Sequence, residues 1–221
     1  MTQELWTKVD EYIVDKLFAP DASLDGAVRA SDDAGLPSIQ VTAPQGRMIA
    51  MLARLQRAKR ILEIGTLGGY STIWLARELP DDGRLITMEV DPRHAGVARQ
   101  NIERAGLSSK VDIRIGDARQ LLQDLEATNP EPFDFFFIDA DKGSNPLYFE
   151  TALRLSRPGS LILVDNVVRD GKIIDAESDD ALVIGVRRLN DMMARDPRVE
   201  ATVIQTVGVK GYDGLAIAFV N

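Results

Sequence analysis

From about residue 60 to residue 194, short apolar runs alternate with longer segments whose apolar residues recur at helical spacing. Apolar runs of about five residues are typical of strands buried on both faces of a parallel sheet. Parallel neighbours need crossover connections, which are right-handed in nearly all proteins. The alternation therefore predicts an α/β fold with a doubly wound, mostly parallel sheet and helices on both faces. The predicted strands are 60–64, 84–89, 111–115, 133–138 and 160–164, and the predicted helices are 46–58, 71–79, 92–105, 118–127, 146–155 and 179–194.

The end of the chain departs from this alternation. Two β-rich segments, residues 199–207 and 215–220, are separated by residues 208–214 with no helix between them. Strands joined by so short a connection pair with each other, so we predict an antiparallel hairpin at the edge of the sheet. With the strands above, this hairpin makes the predicted sheet seven-stranded.

The first part of the chain precedes the alternation. Residues 4–18 carry apolar side chains near helical spacing and predict an amphipathic helix. Residues 19–44 are rich in Asp, Ser, Gly and Pro and predict a short helix mixed with loop, a kind of connection that often forms a lid in enzymes. No linker divides the chain. We therefore predict one domain, residues 1–221, with an N-terminal helix and lid-like segment (1–44) followed by a Rossmann-like core (45–221).

The composition limits the chemistry that the chain can perform. Its 221 residues include no cysteine and one histidine. Disulfides, thiolate nucleophiles, sulfur-ligated metal clusters and His-rich metal sites are thereby excluded. Any metal must be held mainly by oxygen ligands.

The charge and hydropathy of the chain limit its partners. A formal net charge of −8 opposes non-specific binding to nucleic acid or anionic membranes. The strongest basic run, Arg54, Arg57, Lys59 and Arg60, leads into a strand and is typical of a solvated helix end. No apolar stretch approaches the roughly 20 residues that span a bilayer, and the N-terminus lacks signal-peptide features. We therefore expect a cytoplasmic protein that neither enters a membrane nor binds nucleic acid.

Polar side chains follow the fourth and fifth predicted strands. Residues 139–142 read Asp-Ala-Asp-Lys, and Asp165 and Asn166 follow the next strand. Because parallel strands end at one edge of a sheet, these side chains share a crevice. Asp139, Asp165 and Asn166 offer the oxygen ligands that Mg²⁺ or Ca²⁺ prefers, and Lys142 lies within one turn of them. The sequence predicts a metal site beside a base; the alternatives are a simple turn at Asp165 and Asn166 and a surface lysine at 142.

A glycine-rich turn follows the first predicted strand. Residues 63–71 read Glu-Ile-Gly-Thr-Leu-Gly-Gly-Tyr-Ser, and such a turn lets a ligand approach the backbone where a helix begins. Its spacing is not the G-x-G-x-x-G dinucleotide fingerprint, which argues against NAD. Glu63 places a carboxylate beside the turn. A cationic or hydroxyl-bearing ligand suits that position better than a pyrophosphate.

The next two strand ends indicate the rest of the ligand. Glu89 ends the second strand, where an acid can accept two hydrogen bonds from ribose hydroxyls. Gly116, Asp117 and Ala118 end the third strand, where an adenine ring could pack; Asp117 alone also fits an ordinary helix N-cap. The ordered set of glycine turn, acid, Gly-Asp-Ala and Asp139 predicts an adenosine ligand without phosphates.

From residue 41 to the C-terminus the chain resembles the cation-dependent O-methyltransferases that use S-adenosylmethionine (SAM), the family of catechol and caffeoyl-CoA O-methyltransferases and many small bacterial proteins. This family has the class I methyltransferase fold, whose sheet ends in an antiparallel hairpin. The segments that carry the resemblance are Leu-Glu-Ile-Gly-Thr at 62–66, Gly-Tyr-Ser at 69–71, Phe-Ile-Asp-Ala-Asp-Lys at 137–142, Val-Asp-Asn at 164–166 and Tyr-Asp-Gly-Leu at 212–215.

The resemblance implies roles for residues at matching motif positions. Asp139, Asp165 and Asn166 would bind the cation, with Mg²⁺ favoured over Ca²⁺ or Mn²⁺. Lys142 would be the catalytic base, with Asp139 beside it, in methyl transfer from SAM to a hydroxyl of a catechol-like small molecule. A phenol is mostly protonated at neutral pH, and a cation stabilises the phenolate. The implied cofactor-binding residues are Val41, Glu63, Gly65, Thr66 and Ser71 at the methionine part, Glu89 at the ribose, Asp117 and Ala118 at the adenine, and Asp139 and Asp141 at the metal side.

Two segments depart from the family pattern, and we expect both to touch the acceptor pocket. Residues 167–171, Val-Val-Arg-Asp-Gly, lack the bulky apolar and aromatic residues that relatives often carry there. Residues 143–146, Gly-Ser-Asn-Pro, replace the more usual polar and tyrosine residues. We hypothesise that Arg169, with Lys172 nearby, favours an acceptor that carries a carboxylate.

Other functions remain as alternatives. Relatives with this architecture can methylate a hydroxylated base in transfer RNA, although the acidic charge argues against RNA. A non-catalytic adenosine-binding protein would not need the residues at 139, 142, 165 and 166. A nicotinamide-dependent dehydrogenase is opposed by the glycine spacing and by the lack of a matching catalytic Tyr-Lys pair. Relatives are commonly dimers, which implies a homodimer; the apolar face of the first helix suits a partner or its own core equally.

Overall fold

The computed structural model describes residues 2–221, and within them the chain forms eight α-helices and seven strands. Two 3₁₀ turns, Lys142–Ser144 and Lys172–Ile174, lie beside the predicted site residues. None of the described helices is both long and apolar enough to cross a membrane. The helices are α1 (Gln3–Leu17), α2 (Ala22–Asp33), α3 (Ala43–Leu55), α4 (Tyr70–Glu78), α5 (Pro92–Arg104), α6 (Ala118–Ala127), α7 (Asn145–Leu155) and α8 (Ala181–Arg195), and the strands are β1 (Arg60–Ile64), β2 (Arg84–Glu89), β3 (Val111–Ile115), β4 (Phe133–Ile138), β5 (Ser156–Asp165), β6 (Val199–Gly208) and β7 (Gly211–Val220).

The strands form one sheet in the order β3-β2-β1-β4-β5-β7-β6. Strands β1 to β5 pair in parallel, whereas β7 pairs antiparallel with both β5 and β6. The predicted class I methyltransferase fold, with its terminal hairpin at the sheet edge, is confirmed. The chain winds outward from β1 through β2 to β3 and then restarts at β4. The carboxyl ends of β1 and β4 therefore border the crevice at the switch point.

Helices cover both faces of the sheet because strand side chains alternate between them. Leu62 and Ile64 of β1 pack with α6, α7 and α8, and Ile61 packs on the other face with α2 to α5. All six residues of β4 are buried. The long apolar run in β4 is thus explained by burial on both faces.

Local signals place the helix starts beside the crevice. Thr42 caps α3 by accepting a hydrogen bond from the Gln45 amide, and Asp91 caps α5 ahead of Pro92. Asp117 accepts from the Arg119 amide at 2.9 Å and begins α6. Asp91 and Asp117 each lie shortly after the end of a strand, β2 or β3, so α5 and α6 begin at the edge of the sheet where ligands bind.

The hairpin turn is tighter than predicted. Only Val209 and Lys210 separate β6 from β7, where the sequence predicted a loop over residues 208–214. Gln205 pairs with Gly214 and Gly208 with Gly211, so glycines continue the ladder. Glycine has low β-propensity, and only the cross-strand partner reveals the pairing.

Strand β5 begins four residues before the predicted start at 160. Ser156 pairs with Phe133, and the register then shifts before Leu161 pairs with Phe135. Pro158 and Gly159, which suggested a boundary, instead lie within this irregular stretch. Proline and glycine are tolerated in a strand at such a bulge.

The N-terminal part contains more helix than predicted, since α2 extends over 12 residues. None of the residues of α1 is buried, and Leu5, Val9 and Tyr12 are about half exposed or more. The apolar face of α1 is therefore not part of the core, which leaves it available to a partner. The homodimer, the single domain and the lid stay predictions.

Candidate functional site

A cavity of about 610 Å³ opens at the carboxyl ends of β1 to β4. Two predicted residues stand behind its wall: Glu63 is fully buried and Asp165 is 4% exposed. The structure brings the other predicted site residues together on the lining itself, namely Val41, Gly65, Thr66, Ser71, Glu89, Asp117, Ala118, Asp139, Asp141, Lys142 and Asn166.

The turn after β1 requires glycine. Gly65 has a left-handed φ of +100°, and a Cβ there would overlap the backbone carbonyl oxygen of Asp139. The Asp139 amide donates to the Ile64 carbonyl at 2.8 Å, so the ends of β1 and β4 meet at this point. Gly69, at φ +80°, then starts α4 without a side-chain cap. This arrangement leaves a backbone cradle that a ligand can approach closely.

Glu63 lies beneath the cradle and is held by hydroxyl groups. Its carboxylate accepts from Ser71 Oγ at 2.7 Å and from Thr72 Oγ1 at 2.5 Å. Burial raises the pKa of Glu63 to about 7, although these hydrogen bonds oppose the shift. Ser71, rather than Glu63, presents the polar surface to the cavity.

The raised pKa of Glu63 predicts a pH-dependent stability. Because its pKa is higher in the folded chain than its ordinary 4.5, ionisation disfavours the fold as pH rises from about 4.5 to 7. This group should lower the free energy of unfolding by up to about 3 kcal/mol above pH 7. Glu63→Gln removes the effect, so the variant should gain stability relative to the parent protein between pH 5 and pH 8. Urea unfolding at both pH values measures this, and an equal difference at both would contradict it.

Glu89 connects the cradle to the end of β2. Its Oε2 accepts from the Leu67 amide at 2.7 Å and the Thr66 amide at 3.3 Å, and its Oε1 accepts from the Asp91 amide at 3.0 Å. A carboxylate has about four acceptor positions. A ligand hydroxyl can therefore use the remaining one, and two ribose bonds would require the long Thr66 bond to open.

His94 is a site residue that the sequence did not assign. It lines the cavity, with Nδ1 3.6 Å from Glu89 Oε1 and Nε2 3.7 Å from Asp91 Oδ2. The available signal was its position in the first turn of α5, directly after the strand that ends in Glu89. A side chain in the first turn of a helix that follows a parallel strand lies near the carboxyl edge of the sheet, where ligands bind.

Asp117 and Asp141 are engaged by neighbours. Hydrogen bonds from Arg119 lower the pKa of Asp117 to about 2, so this carboxylate is a helix cap and an ion-pair partner as well as part of the lining. Tyr148 Oη donates to Asp141 Oδ1 at 2.5 Å. Burial and this carboxylate raise the pKa of Tyr148 above its usual range. Neither Tyr148 nor Arg119, which also line the cavity, was predicted from the sequence.

Asp139, Asp165 and Asn166 meet at one side of the cavity. Burial, together with the charge of Asp139, raises the pKa of Asp165 to about 7. Asn166 has a φ of 58°, which asparagine tolerates better than most residues. Within residues 2–221 no three His, Cys, Asp or Glu side chains form a metal-binding group. Two crowded carboxylates and an amide nevertheless fit a hard divalent cation, which would relieve their repulsion.

Lys142 is not an ordinary surface lysine. It is 7% exposed, and its Nζ donates to Asp139 Oδ1 at 2.8 Å. Its backbone is fixed where Asp141 caps the 3₁₀ turn through the Ser144 amide at 3.1 Å. Gly185 of α8 packs so closely that a Cβ would overlap the Lys142 carbonyl oxygen. The amine is thereby held between the predicted metal ligands and the cavity.

Asp213 holds the loop that follows Asn166. Its Oδ1 accepts from the amides of Val168 at 2.9 Å, Arg169 at 3.0 Å and Gly214 at 2.9 Å. Arg169 lines the cavity, and its Nη1 lies 3.7 Å from Asp213 Oδ2. The sequence analysis proposed that Arg169 binds the carboxylate of an acceptor. In the structure its guanidinium already lies near the carboxylate of Asp213.

The two segments that depart from the family pattern lie differently relative to this cavity. Residues 143–146 do not line the cavity, because the chain turns away there to begin α7 and packs against α8. Of residues 167–171 only Arg169 reaches the lining, and Lys172 is exposed.

Comparison with known proteins adds an independent finding. The O-methyltransferase family model matches residues 21–218. A catechol O-methyltransferase from Niastella koreensis is 52% identical over 221 residues, with both chains covered in full. The solved O-methyltransferase from Bacillus cereus, in complex with SAH, is 51% identical with a TM-score of 0.98 over 100% of both chains. TomG from Streptomyces achromogenes, involved in tomaymycin synthesis and solved with SAM, is 48% identical with a TM-score of 0.96, covering 100% of this chain and 99% of its own.

Proposed function

The chain belongs to the O-methyltransferase family and is a SAM-dependent O-methyltransferase, and from this premise we propose that it methylates a catechol-like small molecule with the help of a divalent cation, Mg²⁺ first. One observation carries the proposal. Asp139, Asn166 and the buried Lys142 line the cavity at the carboxyl ends of β4 and β5, and Asp165 lies behind the wall, close enough to Asp139 for their charges to interact. Catechol O-methyltransferase relatives support the acceptor class.

We assign the cofactor to the cradle and the strand ends beside it. The glycine turn at Gly65 leaves room for the methionine part, and Ser71 offers a hydroxyl there. Glu89 Oε1 can accept one ribose hydroxyl, while Ala118 offers an apolar contact for the adenine. When bound, SAM supplies a methyl group that is attached to a positively charged sulfonium sulfur. Loss of the methyl group leaves this sulfur as the neutral thioether of SAH.

We assign the cation to Asp139, Asp165 and Asn166, as an oxygen-only set. The cation would supply Lewis acidity that makes the acceptor hydroxyl easier to deprotonate. By holding the cation, these three side chains would position an acceptor with two adjacent hydroxyls so that one of the hydroxyls faces the methyl group. Orientation of this kind is worth several kcal/mol in a two-substrate reaction.

Lys142 is the proposed base. In the structure its ammonium pairs with Asp139. With a cation held at Asp139, Lys142 would act as the free amine. The amine nitrogen then accepts the proton of the acceptor hydroxyl, the oxygen forms a bond to the methyl carbon, and the carbon–sulfur bond breaks with its electron pair on sulfur. The walls of the cavity keep water from competing for the methyl group.

The decisive experiment measures methyl transfer from SAM to 3,4-dihydroxybenzoate and to caffeate, with Mg²⁺ and with EDTA. We expect turnover with Mg²⁺, its loss by at least about a hundredfold with EDTA, and recovery on adding excess Mg²⁺. Turnover that EDTA does not affect would contradict the cation. No turnover, with SAM binding intact by calorimetry, would contradict the small catechol acceptor and favour a larger one such as transfer RNA.

A further inference from the structure

A second cavity, of about 700 Å³, adjoins the first. Gln40, Val41 and Tyr70 line both cavities, so they form the partition between them. Lys210 lines the second cavity and lies close enough to the predicted cation ligands Asp139 and Asp165 for their charges to act on its ammonium, so this cavity borders the acceptor side of the site.

Lys210 stands at this border. It comes from the two-residue turn between β6 and β7, and its Nζ donates to the carbonyls of Ser38, at 3.3 Å, and Gln40. Burial lowers the pKa of Lys210, and the charges of Asp139 and Asp165 oppose the shift. An ammonium has three donors. Two are used on the carbonyls, so one remains for a ligand.

The turn that carries Lys210 is itself anchored. Gln3 Nε2 of α1 donates to the Gly208 carbonyl at 2.9 Å, and Asp10 Oδ2 accepts from the Val209 amide at 2.8 Å. A Cβ at Gly208 would press on Asp10. The ammonium is thus presented from a fixed support and not from a free loop.

Lys210 differs from the other cations near the acceptor. Lys142 pairs with Asp139 at 2.8 Å, and Arg169 faces Asp213 at 3.7 Å. In the described part of the chain, Lys210 has carbonyl partners and no carboxylate at ion-pair distance. Among these three cations, Lys210 is therefore the one that no carboxylate of the described residues pairs with directly. A charge of this kind, without a carboxylate partner, attracts an oppositely charged ligand.

We propose that Lys210 determines acceptor specificity by binding a carboxylate carried on the catechol ring. The inference rests on the proposed function and names the substrate class of that same site. The group must lie close to the ring, because Asp10, Glu11 and Asp15 also line the second cavity and repel a long anionic tail. A dihydroxybenzoate carries its carboxylate directly on the catechol ring, so it has both the negative charge and the short attachment that the proposal requires.

The test compares two probes that differ by one charge, 3,4-dihydroxybenzoate and its methyl ester. Dissociation constants are measured by calorimetry on protein saturated with SAH and Mg²⁺, and kcat/KM is measured with SAM. We expect Lys210→Met to weaken the acid about tenfold more than the ester, which corresponds to about 1.4 kcal/mol. Lys210→Arg should keep most of the preference, since it keeps the charge.

Each other result is decisive. If Lys210→Met weakens both probes equally, Lys210 only ties the turn to residues 38–40 and the inference is wrong. If Arg169→Met removes the preference and Lys210→Met does not, Arg169 is the specificity residue and the inference is also wrong. If the parent protein binds neither probe, the proposed function fails and the inference with it; if it binds both without preferring the acid, only the inference fails.

Discussion

Lys142→Met is expected to lower kcat by about 10² to 10⁴, the range for loss of a general base, with little change in SAM affinity. The substitution keeps the length and apolar stem of a side chain that is 7% exposed, so the wall of the site should survive. Rapid-quench or steady-state methyl transfer measures the loss, and calorimetry measures SAM binding.

Lys142→Arg separates base catalysis from charge. Arginine keeps the ion pair with Asp139 but does not deprotonate in proteins. We expect it to be about as inactive as Lys142→Met. Substantial activity in the arginine variant would show that the positive charge, and not proton transfer, is what the reaction needs. Lys59→Met is the matched control, because Lys59 precedes β1 at the opposite edge of the sheet with its side chain 63% exposed.

Asp165→Asn is expected to abolish cation-dependent turnover and to weaken Mn²⁺ binding by about 10- to 100-fold, as for loss of a metal-site carboxylate partner. The change preserves shape and removes one of two carboxylates that crowd each other in a buried site. Electron paramagnetic resonance titration with Mn²⁺ gives the affinity without relying on activity.

Although Asp165→Asn should weaken cation binding, it should not lower the thermal stability of the cation-free protein. Without a cation, removing a buried like charge beside Asp139 relieves repulsion, so the Tm of Asp165→Asn should equal or exceed that of the parent protein. Added Mg²⁺ should raise the Tm of the parent and have little effect on the variant. Asp170→Asn is the control, since Asp170 is exposed in the neighbouring loop. Unchanged Mn²⁺ affinity in Asp165→Asn would remove Asp165 from the cation site.

Much of the fold was predictable because local signals agreed with the global arrangement. Strands β1, β2, β3 and β4 and helix α6 have the predicted bounds, and α5 begins at Pro92 as predicted; Pro92 and the cap Asp117 are strong local signals for a helix start. The predicted bounds are wrong where pairing with a neighbouring strand determines whether a residue belongs to a strand. Ser156 joins β5 through Phe133, and Gly211 joins β7 through Gly208.

The sequence by itself determined which strands carry the site and which residue types stand at their ends, because parallel strands must end at one edge of a sheet. Only the tertiary structure decided the surroundings of those residues. It buried Lys142 against Asp139, opposed Arg169 with Asp213 from another strand, and brought Lys210 to the acceptor side. The partners of Arg169 and Lys210 are far from them along the chain. Their meeting depends on packing and register across the sheet, which no local pattern of residues records.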